Sequence, residues 1–244
     1  MKSSVIVGMG EIGSSLYKIL KPIYPNTYGI DTDKTKNVDI KTPDTVDILH
    51  ICIRYSDKFL SIVNGYILKY KPKVIDVCTT VPVGTTELIS KEYACHSTTR
   101  GLHPNLEDGL KTIKKHIGGK LSLELSNYFF KASVKCETHP LSKTTELLHI
   151  LNNCHYGINL MFADEAQSLC RKYGVDYYDY MRYTESNNTG YIALGNPSKV
   201  RPILTPPNGK IGGHCLNMSA GLLEESDTDL IKKLKYYNHP KINK

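Results

Sequence analysis

The stretch SSVIVGMGEIGSSLYKIL, residues 3–20, places three glycines between a short β-branched run and a helical pattern. The run Ser4–Val7 predicts a buried strand, and the apolar spacing after the glycines predicts an amphipathic helix. Gly8, Gly10 and Gly13 have the spacing G-x-G-x-x-G in the strand-to-helix context that a dinucleotide-binding loop requires. Gly8 allows the tight turn, Gly10 lets backbone amides approach a pyrophosphate, and Gly13 allows close packing of helix on strand.

A carboxylate at the end of the next predicted strand strengthens this interpretation. The run TYGIDTD carries Asp31, 18 residues after Gly13. A carboxylate at this distance accepts hydrogen bonds from the adenosine ribose of NAD and repels the 2′-phosphate of NADP. The sequence therefore predicts NAD as the cofactor, bound by Gly8, Gly10, Glu11, Ile12, Gly13 and Asp31.

Strand and helix patterns alternate after this loop. The runs VDILHICIRY and KVIDVCT predict buried strands, and SDKFLSIVNGYILKY between them predicts a helix. Such alternation predicts an α/β fold, with a Rossmann-like, doubly wound parallel sheet over residues 1–140. Residues 141–244 are predicted to form a mostly helical dimerisation domain around one long helix at 142–173, which ends before Gly174.

Composition narrows the class of protein. The formal net charge is +7, but basic and aromatic residues do not interleave as in single-strand-binding proteins, so no nucleic-acid partner is predicted. No apolar run approaches the roughly 20 residues of a membrane span, and glycines interrupt the N-terminus where a signal peptide needs apolar residues. We therefore expect a cytoplasmic protein without a membrane partner. The seven cysteines are scattered and none has C-x-x-C spacing, so we predict reduced thiols and no metal site.

Three more motifs follow the glycine loop in order: TTVPVGTT at 79–86, the helical run TELLHILNNCHYGINLMFADEAQSLCRKYGVD, and GKIGGHC at 209–215. With the loop at Gly8 they resemble the signatures of the UDP-glucose/GDP-mannose dehydrogenase family. In GGHC a histidine precedes the cysteine, and in this feature the chain most resembles the branch of the family that acts on UDP-N-acetylhexosamines. The resemblance implies an NAD-dependent oxidoreductase of nucleotide-sugar metabolism and polysaccharide biosynthesis. Such an enzyme oxidises a sugar CH–OH group to a carboxylate through a cysteine thioester.

The resemblance also assigns roles to individual residues. Cys215 matches the nucleophile, Thr80 matches a threonine that positions water, and Asn153 matches the helix asparagine that stabilises an oxyanion. Thr79 is placed in the cofactor site. His149 stands where the family has a lysine, four residues before Asn153, and an unperturbed imidazole pKa of about 6.5 suits proton abstraction near neutral pH.

Two further positions depart from the family pattern. Ser219 stands at an aspartate position and Asn105 at a glutamate position, which weakens the activation of water. We therefore expect oxidation to stop at the two-electron stage, or to stall as an acyl-enzyme on Cys215. The family continues into a second nucleotide-binding domain, and because this chain ends 29 residues after Cys215, we expect that domain to be missing.

Two other functions are compatible with the same motifs. One alternative is an NAD(H)-binding module with little turnover, and another is a two-electron hydroxyacid dehydrogenase. The substrate is expected to be a nucleotide sugar or a smaller anionic alcohol.

The helix at 142–173 is predicted to form a homodimer interface, because apolar residues lie on more than one of its faces. These residues are Leu147, Leu148, Leu151, Ile158, Leu160, Phe162 and Leu169.

Overall fold

The computed structural model describes residues 2–38, 41–102 and 106–207, together with 219, 221–223, 229 and 233. The chain forms two compact units, residues 1–149 and 150–244. The domain boundary at residue 140 stays a prediction from the sequence.

Seven strands of four residues each form a single sheet in the first unit. Their bounds are Ser4–Val7 (β1), Thr27–Ile30 (β2), Ile48–Ile51 (β3), Val74–Val77 (β4), Ala94–Ser97 (β5), Lys115–Gly118 (β6) and Cys136–His139 (β7). The spatial order is β2-β1-β3-β4-β5-β6-β7. All neighbours pair in parallel except β5 and β6, which are antiparallel.

Seven α-helices of the described ranges 2–38, 41–102 and 106–207 connect or follow these strands. Their bounds are Glu11–Leu20 (α1), Phe59–Tyr70 (α2), Thr85–Ile89 (α3), Leu106–Thr112 (α4), Ser122–Lys131 (α5), Ser142–Tyr173 (α6) and Tyr177–Ala193 (α7). The prediction of a doubly wound α/β sheet followed by a long helix is therefore confirmed. None of the helices in the described ranges is long and apolar enough to cross a membrane.

The sheet is buried on both faces, which explains its continuous apolar strands. Side chains alternate between the faces of a strand, so Ile6 enters one core cluster while Val5 and Val7 enter the other. The first cluster packs against α1 and α5 through residues such as Leu16 and Phe129. Burial on both faces is the rule for parallel sheets covered by crossover helices.

The sequence did not predict β6. Its residues, KHIG, include a lysine and a histidine, so the local pattern lacks the apolar run of a buried strand. Lys115 is nevertheless only 2% exposed, because its ammonium group donates to the carbonyl oxygen of Thr98 and the hydroxyl of Thr99. Tertiary hydrogen bonds thus satisfy a charge that the local pattern assigns to solvent.

The second unit is built on the C-terminal part of α6 and on α7. A small apolar cluster on α6 consists of Ile150, Cys154 and Leu160, with partly buried Leu204 packed against it. Asp176 caps α7 through its side chain, which accepts a hydrogen bond from the backbone N–H of Tyr178.

Candidate active site

The glycine loop after β1 has the geometry that a pyrophosphate site needs. Gly8 has a φ of +92°, and a Cβ atom there would lie 2.8 Å from the carbonyl oxygen of Cys52. A Cβ on Gly13 would collide with the carbonyl oxygen of Gly8, so only glycine permits this helix–strand contact. Gly10, by contrast, is exposed and has no heavy atom within 4 Å of an added Cβ, so its surface is open to a ligand.

The loop lies where the strand order reverses. β1 is flanked by β2 on one side and β3 on the other, so successive connections leave in opposite directions. In open α/β sheets ligands bind in the crevice at this switch point, beyond the carboxyl ends of the strands. Glu11 and Ile12 open α1 at the same edge, Glu11 exposed and Ile12 half-buried.

Asp31 follows β2 and faces this loop. Its Oδ2 atom accepts a hydrogen bond of 2.7 Å from the backbone N–H of Met9, and Oδ1 accepts one of 2.9 Å from that of Asp33. Burial raises the pKa of Asp31, but these hydrogen bonds outweigh it and hold the pKa below its usual value. Asp31 is therefore ionised at neutral pH and is joined directly to the glycine loop.

Two threonines follow β4, and both are buried. The hydroxyl of Thr79 donates to the carbonyl oxygen of Ile53 at 2.6 Å, which ties the end of β4 to the end of β3. Thr80 is 5% exposed. Both residues lie at the carboxyl edge of the sheet, and their roles toward cofactor and substrate stay predictions.

The loop after these threonines is fixed to the start of α6. Glu146 is fully buried, and its carboxylate accepts the backbone N–H groups of Gly84 at 2.6 Å and Thr86 at 2.8 Å. Gly84 has a φ of +96°, in the left-handed region that favours glycine. The motif TVPVGTT is therefore a loop closed by a carboxylate from α6.

A pair of buried histidines links Thr79 to α6. The Nε2 atom of His96 lies 3.2 Å from the carbonyl oxygen of Thr79, so Nε2 carries the proton and donates it. The Nδ1 atom then accepts from the Thr145 hydroxyl at 2.9 Å. The ring of His149 lies next to that of His96, with 6.1 Å between ring centroids.

His149 is 6% exposed, and its Nδ1 atom is buried and has no hydrogen-bond partner among the described residues. Burial lowers the pKa of His149 to about 4, and the positive charges of Lys115 and Arg100 contribute to the decrease. The expectation of an unperturbed imidazole is therefore wrong, because the sequence shows neither the burial nor the two cations. His149 is neutral at pH 7 and binds a proton more weakly than a free imidazole.

The remaining predicted catalytic residues belong to the second unit. The Nδ2 atom of Asn153 donates to the Ser219 hydroxyl at 2.9 Å. This contact joins two positions that the resemblance assigned from separate motifs. Cys215, the predicted nucleophile, and Asn105 both lie outside the described residues.

The sequence did not identify three residues that lie near the candidate site: His96, Glu146 and Lys115. Glu146 lies within the helical run that carries part of the resemblance, and His96 lies in a short strand, but a histidine or glutamate in a periodic run is usually an ordinary surface or core residue. A signal existed for His96, since strand alternation places it on the face of β5 opposite to Cys95 and Ser97. Lys115 carried no such signal.

No known protein-family profile matches the chain. In sequence, 161 residues are 26% identical to UDP-N-acetyl-D-mannosamine dehydrogenase from Pyrococcus horikoshii, which covers 59% of this chain and 36% of that protein. The match therefore spans about a third of the relative's length.

Solved structures share the fold over nearly the whole chain. The structure of UDP-D-ManNAc dehydrogenase from Pyrococcus horikoshii superposes with a TM-score of 0.76 at 18% identity, covering 96% of this chain and 68% of that one. UDP-N-acetyl-mannosamine dehydrogenase from Staphylococcus aureus gives 0.72 at 19% identity, over 97% and 67%. Mycobacterium tuberculosis 3-hydroxyisobutyrate dehydrogenase gives 0.72 at 13% identity, over 96% and 91%.

These likenesses confirm the resemblance to nucleotide-sugar dehydrogenases that the motifs indicated. At these identities the structural matches establish the fold, which is the fold of dehydrogenases from two substrate classes.

Proposed function

We propose that the chain is an NAD-dependent oxidoreductase that acts on the CH–OH group of a nucleotide sugar or a smaller anionic alcohol. The observation that carries the proposal is the buried Nδ1 atom of His149, which has no partner in the part of the chain that the structure describes. A buried polar atom without a partner is costly unless a ligand or water satisfies it. The hydroxyl of a bound alcohol is such a ligand, since it can donate its proton to this nitrogen.

The cofactor proposal rests on the glycine loop and Asp31. The open surface of Gly10 and the N-terminus of α1 suit a pyrophosphate, whose negative charge the helix dipole favours. The ionised Asp31 suits a ribose diol and disfavours a 2′-phosphate. NAD, when bound, supplies the hydride acceptor.

The chemistry balances with one base. Bound NAD⁺ would supply the acceptor for the hydride of the alcohol carbon, which is a two-electron oxidation, and the neutral His149 ring would take the O–H proton. Because the pKa of His149 is about 4, the ring is unprotonated across the ordinary working range of pH, so its lone pair is free, but the ring is a weaker base than a free imidazole.

A two-electron hydroxyacid dehydrogenase is the second candidate, and Glu146 favours a reaction that ends at this stage. Conversion of an aldehyde to a carboxylate needs an activated water and a thioester on Cys215. Glu146, one helical turn before His149, is held by two backbone N–H groups and is not available as a base. Asn153 contacts the hydroxyl of Ser219 instead of the family's carboxylate.

We also propose that the chain forms a homodimer through α6 and that it is located in the cytoplasm. The helix leaves Leu148, Leu151, Phe162 and Leu169 between 42% and 59% exposed. Their spacings of three, eleven and seven residues along the chain place them on one stripe of the helix. Covering such a stripe with a second copy removes apolar surface from water.

The deciding experiment counts NADH formed per substrate consumed, with a panel of UDP-sugars and small hydroxyacids. We expect one NADH per substrate, loss of this activity in His149→Gln with cofactor affinity retained, and a first hydride transfer that survives in Cys215→Ser. Cys170→Ser is the matched control for the thiol substitution, because Cys170 is a half-buried free cysteine on α6.

Two results would contradict parts of this proposal. Multiple turnover with two NADH per substrate would refute the two-electron limit. NAD binding without NADH formation from any substrate would instead favour a cofactor-binding module with little turnover.

A further inference from the structure

Three metal-binding side chains, two histidines and one glutamate, meet on one face of the sheet, at β6 and β7. The parallel register pairs His116 with Glu137 and Gly118 with His139. Paired residues of neighbouring strands share a face, and so do residues two apart on one strand. His116, Glu137 and His139 therefore project from the same face of the sheet.

Distances bring the three side chains within range of one ion. The Nδ1 atom of His116 lies 3.0 Å from the Nε2 atom of His139. Each of the three residues offers a ligand atom, and these atoms all lie within 4.8 Å of one another. Ligand distances of about 2.0–2.2 Å around a tetrahedral ion put neighbouring ligand atoms about 3.3 Å apart, so the nitrogens need to separate by only a few tenths of an ångström.

We propose that His116, Glu137 and His139 form a binding site for a divalent transition metal ion such as Zn²⁺. The two imidazoles and one carboxylate are the ligand set that such ions accept in proteins, and a metal with three protein ligands retains an open position for water. The site uses none of the residues assigned to the dehydrogenase reaction.

Access distinguishes this cluster from the other group of metal-ligand residues in the described ranges, His50, Asp76 and Cys78. That second group is fully buried, and Asp76 already accepts from His50 at 2.7 Å and from Cys78 at 3.1 Å. His116 and His139 are half-buried and Glu137 is exposed, so an ion can reach them from solvent.

A bound metal ion would replace contacts that the three side chains already make. One proton lies between the two histidine nitrogens, and the near-parallel rings, 17° apart, must rotate so that both lone pairs point to the ion. Metal binding therefore releases that proton. Lys114 contacts Oε2 of Glu137 at 3.1 Å, which leaves Oε1 to face the metal.

The test is calorimetric titration of ZnCl₂ into protein that carries no histidine tag and has been treated with EDTA. We expect one saturable site per chain, and at least a tenfold loss of affinity in each of His116→Gln, Glu137→Gln and His139→Gln. His155→Gln is the matched control, because His155 is an exposed histidine on α6 outside the cluster, and its affinity should equal that of the wild type.

Two further measurements keep the test decisive. Glu137 is 46% exposed, so its substitution leaves the fold intact even if a histidine variant is unstable. Titration with Co²⁺ should give no thiolate charge-transfer absorption, since the proposed ligands are nitrogen and oxygen. Absence of saturable binding, binding that survives the Glu137 and His139 substitutions, or a cobalt–thiolate band would each overturn the proposal.

Discussion

Acidification is expected to destabilise this protein through His149, and substitution of that residue should remove a measurable part of the effect. Burial, Lys115 and Arg100 lower the pKa of His149 to about 4 in the folded chain. An imidazole in the unfolded chain titrates near about 6.5. A base with a lower pKa in the folded state contributes stability above the unfolded pKa, and this stability is lost as the pH falls toward the folded pKa.

The size of the effect follows from proton uptake. Between pH 7 and pH 5 the unfolded imidazole takes up about 0.7 of a proton, and the folded His149 ring about 0.1. Integrating this difference gives a loss of about 2 kcal/mol in the free energy of unfolding. His96, with its pKa lowered to about 3 by burial and by His149, contributes in the same direction.

Another buried histidine has the opposite sign, so the comparison must be made between variants. Burial lowers the pKa of His50, but its hydrogen bonds to Asp76 and Cys78 outweigh burial and raise the pKa to about 9. His50 is therefore protonated in the folded chain at neutral pH and contributes stability that is fully present below the unfolded pKa of about 6.5 and is lost progressively as the pH rises through about 9. Its effect is common to the wild type and to a His149 variant.

The assay is urea unfolding at pH 7, 6 and 5, followed by far-UV circular dichroism because the chain contains no tryptophan. Wild type should lose about 2 kcal/mol more than His149→Gln between pH 7 and pH 5. The exposed control His155→Gln should follow the wild type. Equal losses in wild type and His149→Gln would refute the assignment of a buried, weakly basic ring.

Three other results are expected from the described geometry. Asp31→Asn keeps an oxygen acceptor for the glycine loop but removes the charge, so the preference for NAD over NADP in equilibrium titration should fall; equal affinities in the wild type would contradict the cofactor proposal. Gly10→Val should leave thermal stability unchanged and abolish NAD binding. Gly13→Ala, by contrast, should cost about 3 kcal/mol of folding stability, because the added methyl group meets the carbonyl oxygen of Gly8. Light scattering should show a dimer that Leu151→Glu dissociates, and a wild-type monomer at micromolar concentration would exclude it.

The initiating loop and the general class of fold were predictable because their signals are local. A strand, three glycines and an amphipathic helix adjoin each other in the chain, and Asp31 follows at a fixed distance. The structure confirms the doubly wound sheet and the long α6 that these patterns predicted. The end of β4 was predicted in the same way, and Thr79 and Thr80 follow it after one residue, Cys78.

The protonation state of His149 and the neighbours of Thr79 were decided only by the tertiary structure. His96 and Thr145 are 49 residues apart in the chain yet hydrogen-bonded, and Lys115 is buried although its own strand looks polar. The pairing of β6 with β7 likewise brings His116 to His139, 23 residues away. The physical reason is that the sequence fixes which groups each segment carries, whereas pKa values and ligand sets depend on burial and on charges that only strand order and packing bring together.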